Sequence, residues 1–326
     1  MASPHIEVHG LVRHFGDVVA VDGVDLAVGA GEVFAFLGPN GAGKTTCVRI
    51  LTTLLRPTAG WARVAGHDVV AEAGAVRRAI GVALQDAAID PLMTGRELLR
   101  LQAVLHGIPR GRADRRGTEL LERVGLTDAA DRRVGTYSGG MRRRLDLALA
   151  LVHEPAVLFL DEPTTGLDPL SRVTLWDEVR ALNRQQGTTV FLTTQYLEEA
   201  DQLAGRIAII DQGRIVTEGA PAALKAEVGA PTLDVALGGE QREAAARVLA
   251  RFGQERPAPP GRLAVGLTGG AGAVPDVVRA LDEAGITLDA LELKAPSLDD
   301  VFLVATGHRL EDGDEQPAEA PAPEGD

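Results

Sequence analysis

One short segment limits the possible folds of this chain more than any other feature of its sequence. It is a glycine-rich loop that ends in a lysine and two threonines, formed by Gly38, Pro39, Asn40, Gly41, Ala42, Gly43, Lys44, Thr45 and Thr46. The apolar residues 33–37 before it predict a buried strand, and residues 47–51 after it continue with helical spacing. This order is typical of a phosphate-binding loop, whose backbone N–H groups close on phosphate oxygens. The sequence therefore predicts a nucleoside triphosphate site in which Lys44 reaches the β- and γ-phosphates and Thr45 ligates Mg²⁺.

Composition argues against several other classes of protein. One cysteine in 326 residues allows no internal disulfide bond, which fits a reducing compartment. The net charge of −13 argues against a broad nucleic-acid-binding surface. No apolar run approaches the roughly 18–20 residues of a membrane-spanning helix, and the N-terminal residues lack the pattern of a signal peptide. We therefore expect no nucleic-acid partner, and contact with a membrane only through another protein.

The order of strand and helix patterns predicts two folded parts and a tail. Within residues 1–228, alternating strands and helices predict a doubly wound α/β core of the phosphate-loop NTPase type. Short strand patterns at 6–36 predict an antiparallel β subdomain, and the amphipathic runs at 95–151 predict a helical subdomain. Residues 229–306 form a small α+β pattern. Residues 307–326 are rich in acids, Pro and Ala, which predicts a disordered tail.

A pair of acids follows the most apolar strand pattern of the chain. Residues 157–160 read Val-Leu-Phe-Leu, and Asp161 and Glu162 come next. Two carboxylates at the end of a buried strand are costly unless they are paired or functional. At the carboxyl edge of a parallel sheet they lie where ligands bind. We therefore predict that Asp161 holds Mg²⁺, usually through water, and that Glu162 polarises the water that attacks the γ-phosphate.

A second anion site is predicted where Ser138, Gly139 and Gly140 open a helical run. Bare backbone donors, a hydroxyl and the positive end of a helix can together receive a phosphate. Ser138 can also act as an ordinary N-cap. The three arginines that follow, residues 142–144, are predicted to form a solvated helix face.

These motifs together resemble the ATP-binding-cassette (ABC) ATPases. The resemblance implies a phosphate loop, a Gln loop, the Ser-Gly-Gly signature, the acidic pair, a D-loop and a switch residue, in that order. Gln85 matches the Gln loop, which contacts Mg²⁺ and the attacking water and senses the permease. Asp168, in Gly-Leu-Asp-Pro, matches the D-loop, and Phe15 sits where the family stacks an aromatic ring on adenine.

The switch position departs from the family pattern. It is normally histidine, and here it is Gln195. Glutamine can hydrogen-bond the γ-phosphate but cannot titrate near neutral pH. Together with the sequence around the signature, and with residues 296–302 near the C-terminus, this glutamine makes the chain similar to the ATP-binding subunits of daunorubicin/doxorubicin-resistance exporters.

The resemblance implies a complete mode of action. Two copies of the chain would pair head to tail around two ATP molecules, at the cytoplasmic face of the cell membrane and bound to a separate transmembrane permease. Hydrolysis of ATP with Mg²⁺ would then power efflux of an antibiotic-like hydrophobic compound. ABC ATPases that act on DNA carry long coiled coils and those that act on ribosomes carry two cassettes; this sequence has one cassette and no heptad run. An importer subunit remains an alternative.

Overall fold

The computed structural model describes residues 4–84, 89–238, 241–308 and 310. In chain order, its strands are β1 (Ile6–Phe15), β2 (Val18–Val28), β3 (Val33–Leu37), β4 (Ala59–Val64), β5 (His67–Asp68), β6 (Ile80–Ala83), β7 (Val157–Asp161), β8 (Thr189–Thr194), β9 (Arg206–Asp211), β10 (Arg214–Gly219), β11 (Thr232–Leu237), β12 (Gly253–Arg256), β13 (Arg262–Leu267) and β14 (Leu288–Lys294). Its α-helices are α1 (Lys44–Leu51), α2 (Ala73–Ala79), α3 (Gly95–Leu105), α4 (Arg110–Arg123), α5 (Gly139–Ala150), α6 (Pro169–Gln186), α7 (Leu197–Leu203), α8 (Pro221–Val228), α9 (Arg242–Leu249), α10 (Val274–Glu283) and α11 (Leu298–Thr306).

The core is a six-stranded sheet in the order β10–β9–β3–β8–β7–β6. Neighbouring strands are parallel except for β10, which is antiparallel to β9 at one edge. Every residue of β7 and β8 is buried, as expected for strands covered on both faces. The carboxyl ends of β3, β8 and β7 lie side by side, at the edge where open α/β sheets bind ligands.

An antiparallel sheet in the order β2–β1–β4–β5 covers one face of the core. Its inward residues, such as Leu11, share a hydrophobic cluster with a row of phenylalanines on the core sheet. Phe34, Phe191 and Phe159 are in register on adjacent strands, and the Phe191 ring centroid lies 5.6 and 5.5 Å from the other two. These aromatic contacts add to the apolar area that the two sheets bury together.

Helices cover the other face of the core sheet and form a subdomain between β6 and β7. Leu99 of α3, Leu120 of α4 and Leu145 of α5 are buried in one cluster with residues of the core sheet. Helix α3 begins with a capping box, in which Thr94 accepts from the backbone N–H of Glu97 and the Glu97 side chain accepts from Thr94. The predicted α/β fold with antiparallel β and helical subdomains is confirmed.

The C-terminal part contains a separate four-stranded antiparallel sheet in the order β12–β13–β11–β14, with its own hydrophobic cluster under α9 and α10. Strand β12 and helix α11 were not predicted from the sequence. The apolar side of α11, including Phe302, packs into the cluster of the core sheet and not into that of the C-terminal sheet. The division of the chain at residues 228 and 306 stays a prediction, and the predicted tail lies almost entirely outside the described residues.

Among the residues that the structure describes, no helix has the length and apolarity needed to cross a bilayer.

Candidate active site

The phosphate loop connects the end of β3 to the start of α1, as predicted. Two of its glycines are required by close backbone contacts. A Cβ atom at Gly38 would lie 2.3 Å from the carbonyl oxygen of Ile210, and one at Gly43 would lie 2.4 Å from that of Ala20. Gly43 also has φ +106°, in the region that favours glycine. The loop is therefore pressed against β9 and β2, which fixes where Lys44 begins the helix.

The ammonium group of Lys44 is buried inside the loop. Its Nζ donates to the carbonyl oxygens of Gly38 and Pro39 at 2.8 and 2.9 Å, and lies 3.4 Å from Oε1 of Glu162. Burial lowers the pKa of Lys44, and the nearby Glu162 carboxylate opposes that shift. Phosphate oxygens can replace these acceptors because they offer the same kind of charge-assisted hydrogen bond.

Asp161 ends β7 beside the phosphate loop. Its Oδ1 accepts from the hydroxyl of Thr193 at 2.5 Å and from the hydroxyl of Thr45 at 3.2 Å. Octahedral Mg²⁺ with ligands at about 2.1 Å holds adjacent oxygens about 3 Å apart. The Thr45 hydroxyl and the Asp161 carboxylate therefore have the chemistry and the spacing for Mg²⁺, with the carboxylate bound directly or through water.

Glu162 has an unusual backbone conformation for a non-glycine residue, with φ +46°. Its N–H donates to the carbonyl oxygen of Thr193 at 3.1 Å, and its Oε2 accepts from the hydroxyl of Thr165 at 3.3 Å. Such a conformation costs energy and persists where the surroundings fix it, often at functional sites. The result is a buried carboxylate that faces Lys44, where a general base for an attacking water would be placed.

The signature and the D-loop are neighbours in the folded chain. The Ser138 side chain caps α5 by accepting from the N–H of Met141 at 3.2 Å, as the sequence allowed. The Asp168 side chain caps α6 by accepting from the N–H and the hydroxyl of Ser171. Open space surrounds Gly139, whereas a Cβ atom at Gly140 would lie 2.8 Å from the Ser171 hydroxyl. Ser171 thus joins the two motifs.

The remaining predicted residues lie around this edge of the sheet. Gln195 directly follows β8. In the core sheet, β8 lies between β3, which leads into the phosphate loop, and β7, which ends at Asp161. Phe15 ends β1 and is 47% exposed, with the guanidinium of Arg13 4.5 Å from its ring centroid. An exposed ring is free to stack on a base. Gln85, the predicted Gln-loop residue, lies outside the described residues.

The prediction of a solvated face for residues 142–144 is wrong for Arg143. Its side chain is 12% exposed and donates to the carbonyl oxygens of Leu84, Asp161 and Pro163 at 2.6, 2.8 and 2.9 Å. Asp146 lies one turn further along α5, and its Oδ2 is 3.3 Å from Nη1 of Arg143. Burial raises the pKa of Asp146 to about 6, although Arg143 opposes the shift. An Arg and an Asp three positions apart on a helix were the available signal.

Two further buried polar residues were missed. Glu199 accepts from the indole N–H of Trp176 at 3.2 Å, and burial raises the pKa of its carboxyl group. It ties α7, which follows the switch residue, to α6, which follows the D-loop. Thr193 lies in β8, where the parallel register places it opposite Asp161. A threonine at the end of such a strand was the only signal for it.

Comparison with known proteins agrees with this geometry. The family model "ABC transporter" matches residues 21–165. The chain is 52% identical over 308 residues to the daunorubicin resistance ATP-binding protein DrrA3 of Streptomyces coeruleorubidus, covering 94% of this chain and 97% of that protein. The chain belongs to the ABC transporter ATP-binding proteins.

Two solved structures place this ABC transporter subunit among known cassettes. The first is cbiO1 of Clostridium perfringens, part of the transporter complex cbiONQ, with TM-score 0.64, 25% identity and coverage of 77% of this chain and 96% of that one. The second is the dimeric cassette MJ0796 bound to ADP and phosphate, with TM-score 0.61, 25% identity and coverage of 66% and 98%. The subunit is an ATPase of the cassette type that binds nucleotide, and cassettes of this family form dimers and join transporter complexes.

Proposed function

We propose that two copies of this ABC transporter subunit enclose two ATP–Mg²⁺ complexes head to tail, and that hydrolysis drives export of a hydrophobic, antibiotic-like compound through a separate permease. The subunit would then sit at the cytoplasmic face of the membrane, held there by the permease. The observation that carries the catalytic part is the meeting of Lys44, Glu162 and Asp161 at one sheet edge. The 52% identity to a daunorubicin resistance protein supports the cargo class.

In this proposal each residue has a defined task. The loop from Gly38 to Thr46 wraps the phosphates, and Lys44 exchanges its contacts with the loop carbonyls for the β- and γ-phosphate oxygens. Thr45 and Asp161 would hold Mg²⁺, with Gln85 as a further ligand, and the ion neutralises charge on the phosphates. Phe15 would stack on adenine. Ser138, Gly139 and Gly140 would close on the γ-phosphate bound by the partner copy, beside Asp168.

The chemistry then needs one proton transfer, from the attacking water to a side chain of this protein. Glu162 accepts a proton from water as the water oxygen attacks the γ-phosphorus, and the bond from phosphorus to the bridging oxygen of ADP breaks. Lys44, 3.4 Å from Glu162, is placed to stabilise negative charge on the same side. The Gln195 amide can orient the water or the γ-phosphate without changing its own charge.

Replacing Glu162 with glutamine tests the catalytic part. The amide keeps the size of the side chain but cannot accept the proton, so hydrolysis should fall by about 10²–10⁴-fold while ATP binding remains. The variant should accumulate as an ATP-bound dimer, measured by mass photometry with and without ATP. Glu198→Gln is the matched control, because residue 198 is an exposed glutamate on α7. Unchanged turnover in Glu162→Gln would remove that residue from catalysis.

The cargo needs a test with the permease present. Membrane vesicles that contain this subunit together with its permease should accumulate daunorubicin in an ATP-dependent manner when the cytoplasmic side faces outward. Vesicles with Glu162→Gln should not. ATP-dependent movement in the opposite direction would identify an importer, and ATPase activity that no anthracycline stimulates or transports would exclude this cargo class.

A further inference from the structure

A second group of charged side chains lies away from the nucleotide site, around a cavity of about 440 Å³ beside the N-terminal end of α4. Four arginines from two helices line it: Arg78 on α2 and Arg112, Arg115 and Arg116 on α4. We call this cavity the arginine pocket. None of its arginines belongs to the motifs that bind ATP, so the proposed function gives it no role.

Three of these guanidinium groups are uncompensated. Within the described part of the chain, Arg78, Arg112 and Arg115 have no side-chain hydrogen bond or ion pair. Arg116 differs, because its Nη1 lies 3.8 Å from Glu119 and 3.6 Å from Glu154. The two acids at the pocket are therefore occupied by one arginine, and the other three positive charges face the cavity without a partner.

The start of α4 adds to this excess. The helix begins at Arg110 after Pro109, has no side-chain cap and carries no acid in its first turn. The N-terminus of a helix is its positive end, so arginines there oppose the helix dipole. An anion bound beside this end of α4 would offset both the dipole and the arginines.

Two histidines form a flat wall of the same cavity. The rings of His106 and His153 stack with centroids 3.8 Å apart and planes inclined by 6°. Burial lowers the pKa of both imidazoles, and His153 Nε2 lies 2.9 Å from the carbonyl oxygen of Ile80. Burial therefore disfavours the charged form of both imidazoles, and the charge of the arginine pocket comes mainly from its arginines.

We propose that the arginine pocket binds a phosphate group, carried either by a soluble phosphate ester or by the head group of an anionic phospholipid. Guanidinium groups bind phosphate through paired charge-assisted hydrogen bonds, and three exposed guanidinium groups line one solvent-open cavity. A metal cation is excluded by the same charges. An acidic peptide would suit a long groove better than a single cavity, so we treat it as a competing outcome. This site does not depend on the proposed export function.

The test uses the full chain with its nucleotide site filled by Mg²⁺ and a non-hydrolysable ATP analogue, so that the phosphate loop cannot take the probe. Binding of glycerol 3-phosphate is measured by calorimetry. Binding to phosphatidylglycerol vesicles is measured by co-sedimentation against phosphatidylcholine vesicles. Arg112→Gln/Arg115→Gln should weaken binding by about tenfold or more for whichever probe binds the wild-type protein. Arg184→Gln/Arg247→Gln removes the same charge at exposed positions outside the pocket and should retain probe binding within about twofold.

Each outcome decides the proposal. The proposal is supported if one of the two probes binds the wild type and the control variant but not the pocket variant. The probe that binds then identifies the source of the phosphate. The proposal is overturned if neither probe binds, if both double variants lose binding equally, or if a glutamate-rich peptide binds and both phosphate probes do not. Thermal melts of the two variants and their basal ATPase rates, which we expect to match the wild type, show that a lost signal is not lost folding.

Discussion

The guanidinium of Arg143 donates a hydrogen bond to the main-chain oxygen of Asp161, with Nη2 and the oxygen 2.8 Å apart. The same side chain reaches the carbonyl oxygen of Leu84, directly before the Gln loop, at 2.6 Å. Arg143 therefore connects α5, which begins at the signature, with the end of β7 and with the residue that precedes Gln85. We expect a shift of α5 at any of these contacts to be transmitted to Asp161, and so to the proposed Mg²⁺ site.

Arg143 should act as a positioning residue. Arg143→Gln removes most of these donors, so the acidic pair should lose its alignment and kcat should fall by about 10–100-fold. The KM for ATP should stay within about twofold, because the phosphate loop is untouched. Steady-state ATPase kinetics measure both constants, and Arg142→Gln, at an exposed neighbouring position, is the control. A raised KM with unchanged kcat would contradict this role.

The Asp146 carboxyl should make the protein less stable as pH rises. Its folded pKa of about 6 is above its ordinary value of 3.8, so the native state binds more protons than the unfolded state between these values. Stability from this group is therefore lost as pH rises from about 4 to about 6 and is constant above that range. Two pKa units correspond to ~3 kcal/mol.

Asp146→Asn isolates this effect because the amide has the same shape and does not titrate. The free energy of unfolding of the wild type minus that of the variant should decrease by ~2–3 kcal/mol between pH 4 and pH 6.5. Urea denaturation at a series of pH values gives the difference, in which the other titrating groups cancel. A difference that is flat or increases with pH would show that Asp146 is charged in the native state throughout.

The switch residue should make hydrolysis insensitive to pH near neutrality. Gln195 does not titrate, whereas an imidazole in its place would change charge close to pH 6.5. Gln195→His should therefore introduce or sharpen an inflection in kcat between about pH 6 and 7.5. The two profiles are compared for protein assembled with its permease. Identical profiles and identical rates would mean that residue 195 does not reach the γ-phosphate.

The parts of this site that follow from local sequence rules were predictable. The strand–loop–helix order fixed the phosphate loop, and the apolar run before Asp161 and Glu162 placed both acids at the end of a buried strand. Contacts between distant segments were not predictable. Arg143 sits in a run of three arginines that looks solvated, and its partners are backbone carbonyls up to 59 positions away. Backbone acceptors leave no mark on the sequence, and Asp146 is within helical reach of both Arg142 and Arg143, so tertiary packing distinguishes the two arginines.

The same limit applies to the C-terminal helix. No helix is predicted over residues 298–306 from the apolar pattern, because Pro296 precedes the segment and acids occupy positions 299 and 300. The structure shows a capping box at Ser297 and Asp300 that starts α11. The helix then buries Phe302 against the core sheet. A capping box was readable from the sequence, but the choice between two hydrophobic clusters was not.

The final prediction is that the signature acts across the dimer. In that arrangement each ATP site combines the phosphate loop of one chain with residues 138–140 of the other. Gly139→Asp places a carboxylate where the partner's phosphate would bind, in space that is open within the chain itself. Gly140 is less suitable, because any Cβ there would collide with Ser171 of the same chain. Gly139→Ala is the matched control and should retain activity.

Two kinds of heterodimer, isolated with different affinity tags, then give opposite results for the two arrangements. A Lys44→Ala chain paired with a Gly139→Asp chain keeps one complete site if the signature works across the dimer, and none if it works within a chain. A wild-type chain paired with a Lys44→Ala/Gly139→Asp chain has no complete site across the dimer, but keeps one within the wild-type chain. We expect ATPase activity in the first heterodimer and none in the second, because a carboxylate and a phosphate repel strongly in a site that excludes water. Activity in the second and none in the first would assign the signature to its own chain's nucleotide.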